Sequence, residues 1–285
     1  MSDSIMKEPY SNSRLNLYQD CQRKWWYHYR ENWLPITTSW SLQVGKAFHD
    51  IYEIHLKGGD WRHECMIRDQ ALPPDYTSKD PPVYYTILHM MDFYLSKYPS
   101  EAMDIIDTEV EKIFELPNGE TFKIRVDGIA KIMGQTLNLE HKTHKKVTET
   151  SILKDTTSRQ NVAYVVGVEA TTGLKVDGTL VTSISTIKAN PPHKKWGRNV
   201  PEAEKSFTLD RTQAFYSQED LDEWIHYATT LTTEITSKHD KEEFLPNHEA
   251  CFKFGAGEFR CGYFHQCRGG GQFTPERFTK REVSQ

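Results

Sequence analysis

VDGIAKIMGQTLNLEHKTHK, Val126 to Lys145, is the stretch whose reading decides the fold. Upstream of it Phe122, Ile124 and Val126 alternate with polar residues, as one face of a β-strand does, and the run ends on Asp127. Gly134-Gln135 supplies a turn into a second strand. There Leu137 and Leu139 point into a core, while Asn138, Glu140 and Lys142 share the opposite side. Asp127 and Glu140 are therefore expected to converge. Two carboxylates at one point repel each other, and a hard divalent cation with oxygen ligands, magnesium or manganese, relieves that repulsion. A surface hairpin with a cross-strand Glu/Lys pair is the plain alternative, so the rest of the chain has to decide.

Two further segments bear on the choice. QNVAY places Gln160 and Tyr164 four residues apart, on one face of a helix expected over 158–171. GKAFHDIYEIHL places His49 on a helix beginning near Ser41, among Phe48, Ile51, Tyr52 and His55. Taken alone, such a histidine reads as a core or capping residue. Phosphodiester hydrolysis requires an activated water, neutralised non-bridging oxygens and a stabilised leaving alkoxide, and one or two cations beside a lysine meet those needs. The lysine acts either as a base, if its pKa is depressed, or as a charged positioner.

The cysteines form a second signal. Cys21 stands near the N-terminus, Cys251, Cys261 and Cys267 lie near the C-terminus, and Cys65 stands apart in a polar segment, read as unpaired. The opening MSDSIMKEPYSNSR has no apolar run of signal-peptide length, so a reducing compartment is expected. Four thiols there suit tetrahedral zinc or an iron–sulfur cluster, and residue types alone do not choose. Either would tie the two chain ends together. Gly255, Gly257 and Gly262 would provide the bends and neighbouring aromatics the shielding.

In this order the segments resemble the PD-(D/E)xK nuclease superfamily, specifically its RecB-like branch, which includes CRISPR-associated adaptation exonucleases and the nuclease domains of bacterial helicase-nucleases. The resemblance extends over nearly the whole chain. It implies that His49, Asp127 and Glu140 bind the metal, with the backbone carbonyl of His141 as a further ligand. Lys142 would orient or deprotonate the attacking water, and Gln160 and Tyr164 match a helper element that positions Lys142 or the DNA backbone. Glu109 matches an acidic residue on the first strand. Iron–sulfur members carry one cysteine before the core and three after it, often as Cys-x2-Cys-x5-Cys. Cys261 and Cys267 keep the five-residue gap, whereas nine residues separate Cys251 from Cys261. The resemblance thus implies a 4Fe-4S cluster on Cys21, Cys251, Cys261 and Cys267, ahead of zinc.

The N-terminal YSNSRLNLYQDCQRKWWYHYRENW also resembles this branch, with Ser11 or Ser13 capping a helix. Its Arg23–Arg30 stretch would stack bases and bind phosphates, or pack a core beside the cluster. Net charge is -5 and pI about 6.2, so nucleic-acid binding must rest on local patches at 23–30, 141–146 and 188–198. Mean hydropathy is -0.68 and no stretch is long and apolar enough for a membrane span.

The expected elements are helices over 13–32, 41–57, 81–97, 158–171 and 218–239, and strands over 104–116, 120–133, 136–142, 178–187 and 204–210. A hairpin turn falls at Asn118-Gly119, and Gly58–Pro82 reads as an insertion. The expected fold is α/β, restriction-endonuclease-like, with a central mixed sheet flanked by helices. A single nuclease domain spans 1–285, with its core at 41–240 and an iron–sulfur lobe from 1–35 and 245–270. The implied activity is metal-dependent exonucleolytic cleavage of DNA at single-stranded ends, with 5′-to-3′ polarity favoured. The implied setting is recombination, repair, or phage or mobile-element DNA processing in the cytoplasm of a bacterial or phage-infected cell, with recombination or CRISPR-type partner proteins. A non-catalytic nucleic-acid-binding or assembly protein of the same fold, and a zinc-stapled hydrolase, are the alternatives.

Overall fold

The computed structural model describes residues 8–36, 39–70, 82–98, 103–186, 207–253 and 261–281. The basic loop at 188–198, the start of the strand expected from 204, and Gly255 and Gly257 lie outside them. The described helices are α1 (Asn12–Asp20), α2 (Gln22–Trp25, continued by a π-helical turn to Arg30), α3 (Trp40–Leu56), α4 (Trp61–Gln70), α5 (Val83–Lys97), α6 (Glu149–Thr156), α7 (Arg159–Thr172), α8 (Gln218–Ser237) and α9 (Phe264–Arg268). The strands are β1 (Trp33–Pro35), β2 (Met103–Glu115), β3 (Thr121–Ile132), β4 (Gln135–His144), β5 (Gly178–Ser185), β6 (Leu209–Ala214) and β7 (Phe278–Lys280). The main sheet has the order β2-β3-β4-β5-β6, with β4 and β5 parallel and β3-β4 and β5-β6 antiparallel. It is the expected mixed sheet with helices about it.

Local chemistry accounts for most boundaries. Ser39 Oγ caps α3 by accepting the Leu42 amide at 3.3 Å, and Ser11 Oγ caps α1 by accepting that of Arg14 at 3.3 Å. Met133 and Gly134, at φ 52 and 85, make the tight turn between β3 and β4 that Gly-Gln announces. Three expectations need correction. The single helix over 13–32 is broken at Cys21, whose backbone is extended (φ -163, ψ 111). The segment read as an insertion contains α4, whose Trp61 and Cys65 are buried; apolar residues four apart were hidden by the polar ones between them. Helix α6 and strands β1 and β7, too short for a periodic signal, were not foreseen.

The chain divides into two compact units. One comprises 38–112 and 125–221. Its core joins Val44, Phe48, Ile51 and Tyr52 of α3 to Trp61 and Cys65 of α4 and Ile87, Met90, Met91 and Tyr94 of α5, with Ile184 of β5. Burial of each large apolar side chain contributes about 1.5–3 kcal/mol, and together they fix the helix that carries His49. A Cβ at Gly45 would lie 3.0 Å from Thr143 Oγ1, so glycine lets α3 approach β4 closely. The other unit comprises 1–37, 113–124 and 222–285. Trp25 stacks on Phe244 with centroids 5.3 Å apart, Tyr18 meets both rings edge-on, and Tyr27, Tyr263 and Phe278 form a second apolar group with Cys261 and Cys267 against it. The aromatic run 23–30 thus supplies core residues through Trp25 and Tyr27.

Candidate functional site

Strand register brings the two acids together. The β3-β4 ladder runs as far as Gly128 opposite Leu139, and the next residues on the two strands are Asp127 and Glu140. Both faces of β4 are covered, and Glu140 is 2% exposed. On one face Lys142 Nζ pairs with Glu140 and donates to Gln160 Oε1 at 2.9 Å. Gln160 in turn bonds the Tyr164 hydroxyl one helical turn along α7. Ser158 Oγ caps that helix on the Gln160 amide itself (3.3 Å), so the cap also orders the residue that holds Lys142.

On the other face the His141 ring packs among Phe48, Tyr52 and Tyr94, with its centroid 4.1 Å from that of Tyr52. Asp127 Oδ2 accepts the His141 amide at 2.7 Å and faces its Nδ1 at 3.3 Å, while Asp127 Oδ1 faces His49 Nδ1 at 3.0 Å. Only the backbone of His141 was assigned a role from the sequence; its imidazole is a second anchor for Asp127.

The ligand trio expected from the sequence was His49, Asp127 and Glu140; in the structure Glu109, and not Glu140, stands in the tight group with His49 and Asp127. Inward positions on β2 change parity between Ile105, which packs on the β3-β4 leucine cluster, and buried Val110. Glu109 lies within that switch at φ 49, a left-handed conformation costly for a residue with a Cβ. Its carboxylate is largely buried, and Arg125 Nε donates to it at 2.7 Å. Ligand atoms of His49, Glu109 and Asp127 all lie within 4.8 Å of one another, and among the described residues this is the one group of three or more so tightly gathered. The signal for Glu109 in the sequence was the lost alternation in Asp107-Thr108-Glu109.

Electrostatics follow from burial. Burial opposes ionisation of Asp127, but His49 and His141 hold its carboxyl well below the usual carboxylate range. Glu140 goes the other way: burial, then the charge of Asp127, raises its pKa against the pull of Lys142. Burial opposes a charge on His49, yet Asp127, their hydrogen bond, Glu140 and Glu109 raise its pKa to about 9. Burial likewise disfavours charged Lys142, and Glu140, Asp127 and Asp155 outweigh it, so Lys142 stays an ammonium. Burial lowers the His141 pKa. Glu140 Oε2 and His141 Nε2 are buried without a hydrogen-bond partner. A buried carboxylate oxygen without a donor, beside a second carboxylate, is what a divalent cation satisfies, so the donor set fits one.

The four terminal cysteines meet in the other unit. All are free thiols. Asn247 donates its amide to Cys21 Sγ at 3.3 Å, and Cys261 donates its amide to the Cys251 carbonyl at 2.8 Å. Burial raises Cys251, Cys261 and Cys267, and the charge of neighbouring thiolates raises them further: Cys21 and Cys267 act on Cys251, Cys251 and Cys21 on Cys261, and Cys21 and Cys261 on Cys267. Among the described residues no three of these sulfurs lie within 4.8 Å of one another. Cys65 is buried, remote in sequence and free.

Asp127 and the Glu140-x-Lys142 pair thus stand on adjacent strands of the α/β sheet, with Gln160 and Tyr164 of α7 beside Lys142. The model of the PD-(D/E)XK nuclease superfamily matches residues 9–268, and the chain belongs to that superfamily. Among solved structures it is similar to a Eubacterium rectale protein described as a "Putative exonuclease", with a TM-score of 0.51, 15% identity and coverage of 98% of this chain and 91% of that one. This likeness extends to the fold. The structure of SSO0001 aligns at a TM-score of 0.31 and 16% identity, over 69% of this chain and 74% of that one. No curated protein matches the sequence.

Proposed function

We propose that the protein is a metal-dependent deoxyribonuclease of the RecB-like branch, acting as an exonuclease on single-stranded DNA ends. The observation that carries the reading is Lys142 held between Glu140 and Gln160, beside an Asp127 that is itself held by two histidines. His49, Asp127 and Glu109, whose ligand atoms lie within 4.8 Å of one another, would hold the cation, with Glu140 and the His141 carbonyl approaching it from β4. Magnesium or manganese bound there supplies charge neutralisation at the scissile phosphate and lowers the pKa of an attacking water. The protein's own groups do the rest. Asp127 is kept ionised and oriented by His49 and the His141 amide. Lys142, as an ammonium fixed by Gln160, orients the nucleophile and offsets charge on the phosphorane oxygens. Its pairing with Glu140 and its bond to Gln160 suit a charged positioner.

The four cysteines of the other unit are proposed to hold a 4Fe-4S cluster. The preference for a cluster over zinc rests on the resemblance, in which one cysteine precedes the nuclease core and three follow it. Recombination, repair or phage DNA processing, and 5′-to-3′ polarity, complete the reading by the resemblance alone. The test is incubation of anaerobically purified protein with end-labelled single- and double-stranded DNA, with manganese or with chelator. Manganese-dependent release of short labelled products from single strands is expected; intact DNA under all conditions would overturn the reading in favour of a binding protein with a nuclease fold.

A further inference from the structure

His144 lies outside the site described above, two residues beyond Lys142 and on the same side of β4. Contacts establish the shared side: Lys142 reaches Gln160 on α7, His144 reaches Asp155 on α6, and the intervening Thr143 approaches Gly45 of α3 on the other face. His144 Nε2 and Asp155 Oδ2 are 2.6 Å apart, and the same carboxylate oxygen accepts the Ser183 hydroxyl at 2.6 Å. Asp155 is buried, and its backbone carbonyl accepts from Asn161 Nδ2 at 2.8 Å. Adjacent residues of α7, Gln160 and Asn161, thus brace the supports of two successive basic side chains of β4. A carboxylate shared in this way fixes the ring plane and leaves Nδ1 as the edge available to a ligand. The His144 side chain is 24% exposed, against 9% for Asp155, so the ring bridges from a buried anchor toward solvent.

Resting on the nuclease reading, we infer that His144, braced by Asp155 and Ser183, binds a backbone phosphate of the nucleic acid next to the one that Lys142 serves. Residues two apart on a strand are spaced by about 6.6–6.8 Å, a separation comparable to that of successive phosphates along one strand. A histidine whose remaining edge faces a phosphate contributes position and charge and reads no base. His144 is therefore a positioning residue that sets the register of the strand over the metal site.

The test is binding of a fluorescent single-stranded oligonucleotide in chelator across a salt series. His144→Gln keeps a donor for Asp155 and removes the imidazole. It should weaken binding about fivefold to tenfold, and the slope of log K against log salt should become shallower by about 1. His144→Arg should restore the slope, which a merely structural role would not do. A His144→Gln protein with wild-type slope, or an arginine variant no better than the glutamine one, overturns the inference while leaving the nuclease reading intact. Wild-type protein that neither binds nor cuts overturns both.

Discussion

Glu140→Gln separates what the buried acid costs the fold from what it does for the cation. Glu140 is 2% exposed, its Oε2 has no donor and Asp127 adjoins it. Leaving a buried polar group unsatisfied costs about 1–3 kcal/mol. The amide relieves that cost by offering Asp127 a donor, and it gives up part of the attraction to Lys142. The expected net effect in chelator is a gain of about 1 kcal/mol, or a rise in Tm of about 2–4 °C for a unit of this size. Because the folded-state pKa of Glu140 is raised, the folded protein binds that proton more readily than the unfolded chain. Wild-type stability therefore falls as pH rises from about 4.3 to the folded value. The gain from glutamine should be largest above that window and should vanish below it. Manganese reverses the order. At a hundredfold excess over its dissociation constant a cation stabilises the wild type by about 2.7 kcal/mol, and the variant should lose most of this along with cleavage. Thermal unfolding at several pH values, with chelator and with manganese, measures both effects. A variant less stable than wild type in chelator at neutral pH, or one that keeps the full manganese shift, refutes the reasoning.

Lys142→Ala should reduce cleavage to background while manganese affinity, read by calorimetry, stays within about threefold, since the ammonium is tied to Glu140 and Gln160 and is no ligand; retained cleavage would remove Lys142 from the mechanism. Asp127→Ala should weaken manganese binding by at least about tenfold, because His49 and His141 lose the group they orient; an unchanged titration would exclude Asp127 as a ligand. Cys261→Ala should lower iron content, visible absorbance and soluble yield together, and a variant with full iron would argue against a four-thiol site.

Much of the site was legible before any fold was known. The alternation through Leu137, Asn138, Leu139 and Glu140 is a steric consequence of the pleat, so the side taken by Glu140 and Lys142 follows from residue order alone. Ser158 and the spacing of Gln160 and Tyr164 likewise announce a capped helix with both residues on one face. Helix α4 was obscured because its apolar positions are few, and α6 because its length allows little periodicity.

What residue order determined, then, is which elements form and which way each side chain leaves its own backbone, since both depend on local sterics and on apolar spacing. Tertiary structure alone decided which of those side chains meet. Glu109 joins His49 and Asp127 through a left-handed residue within β2, and His144 finds Asp155 and Ser183 from other elements. Such meetings depend on strand register and on how closely α3, α6 and α7 pack on the sheet, and these are set by the sum of the core contacts rather than by any one segment.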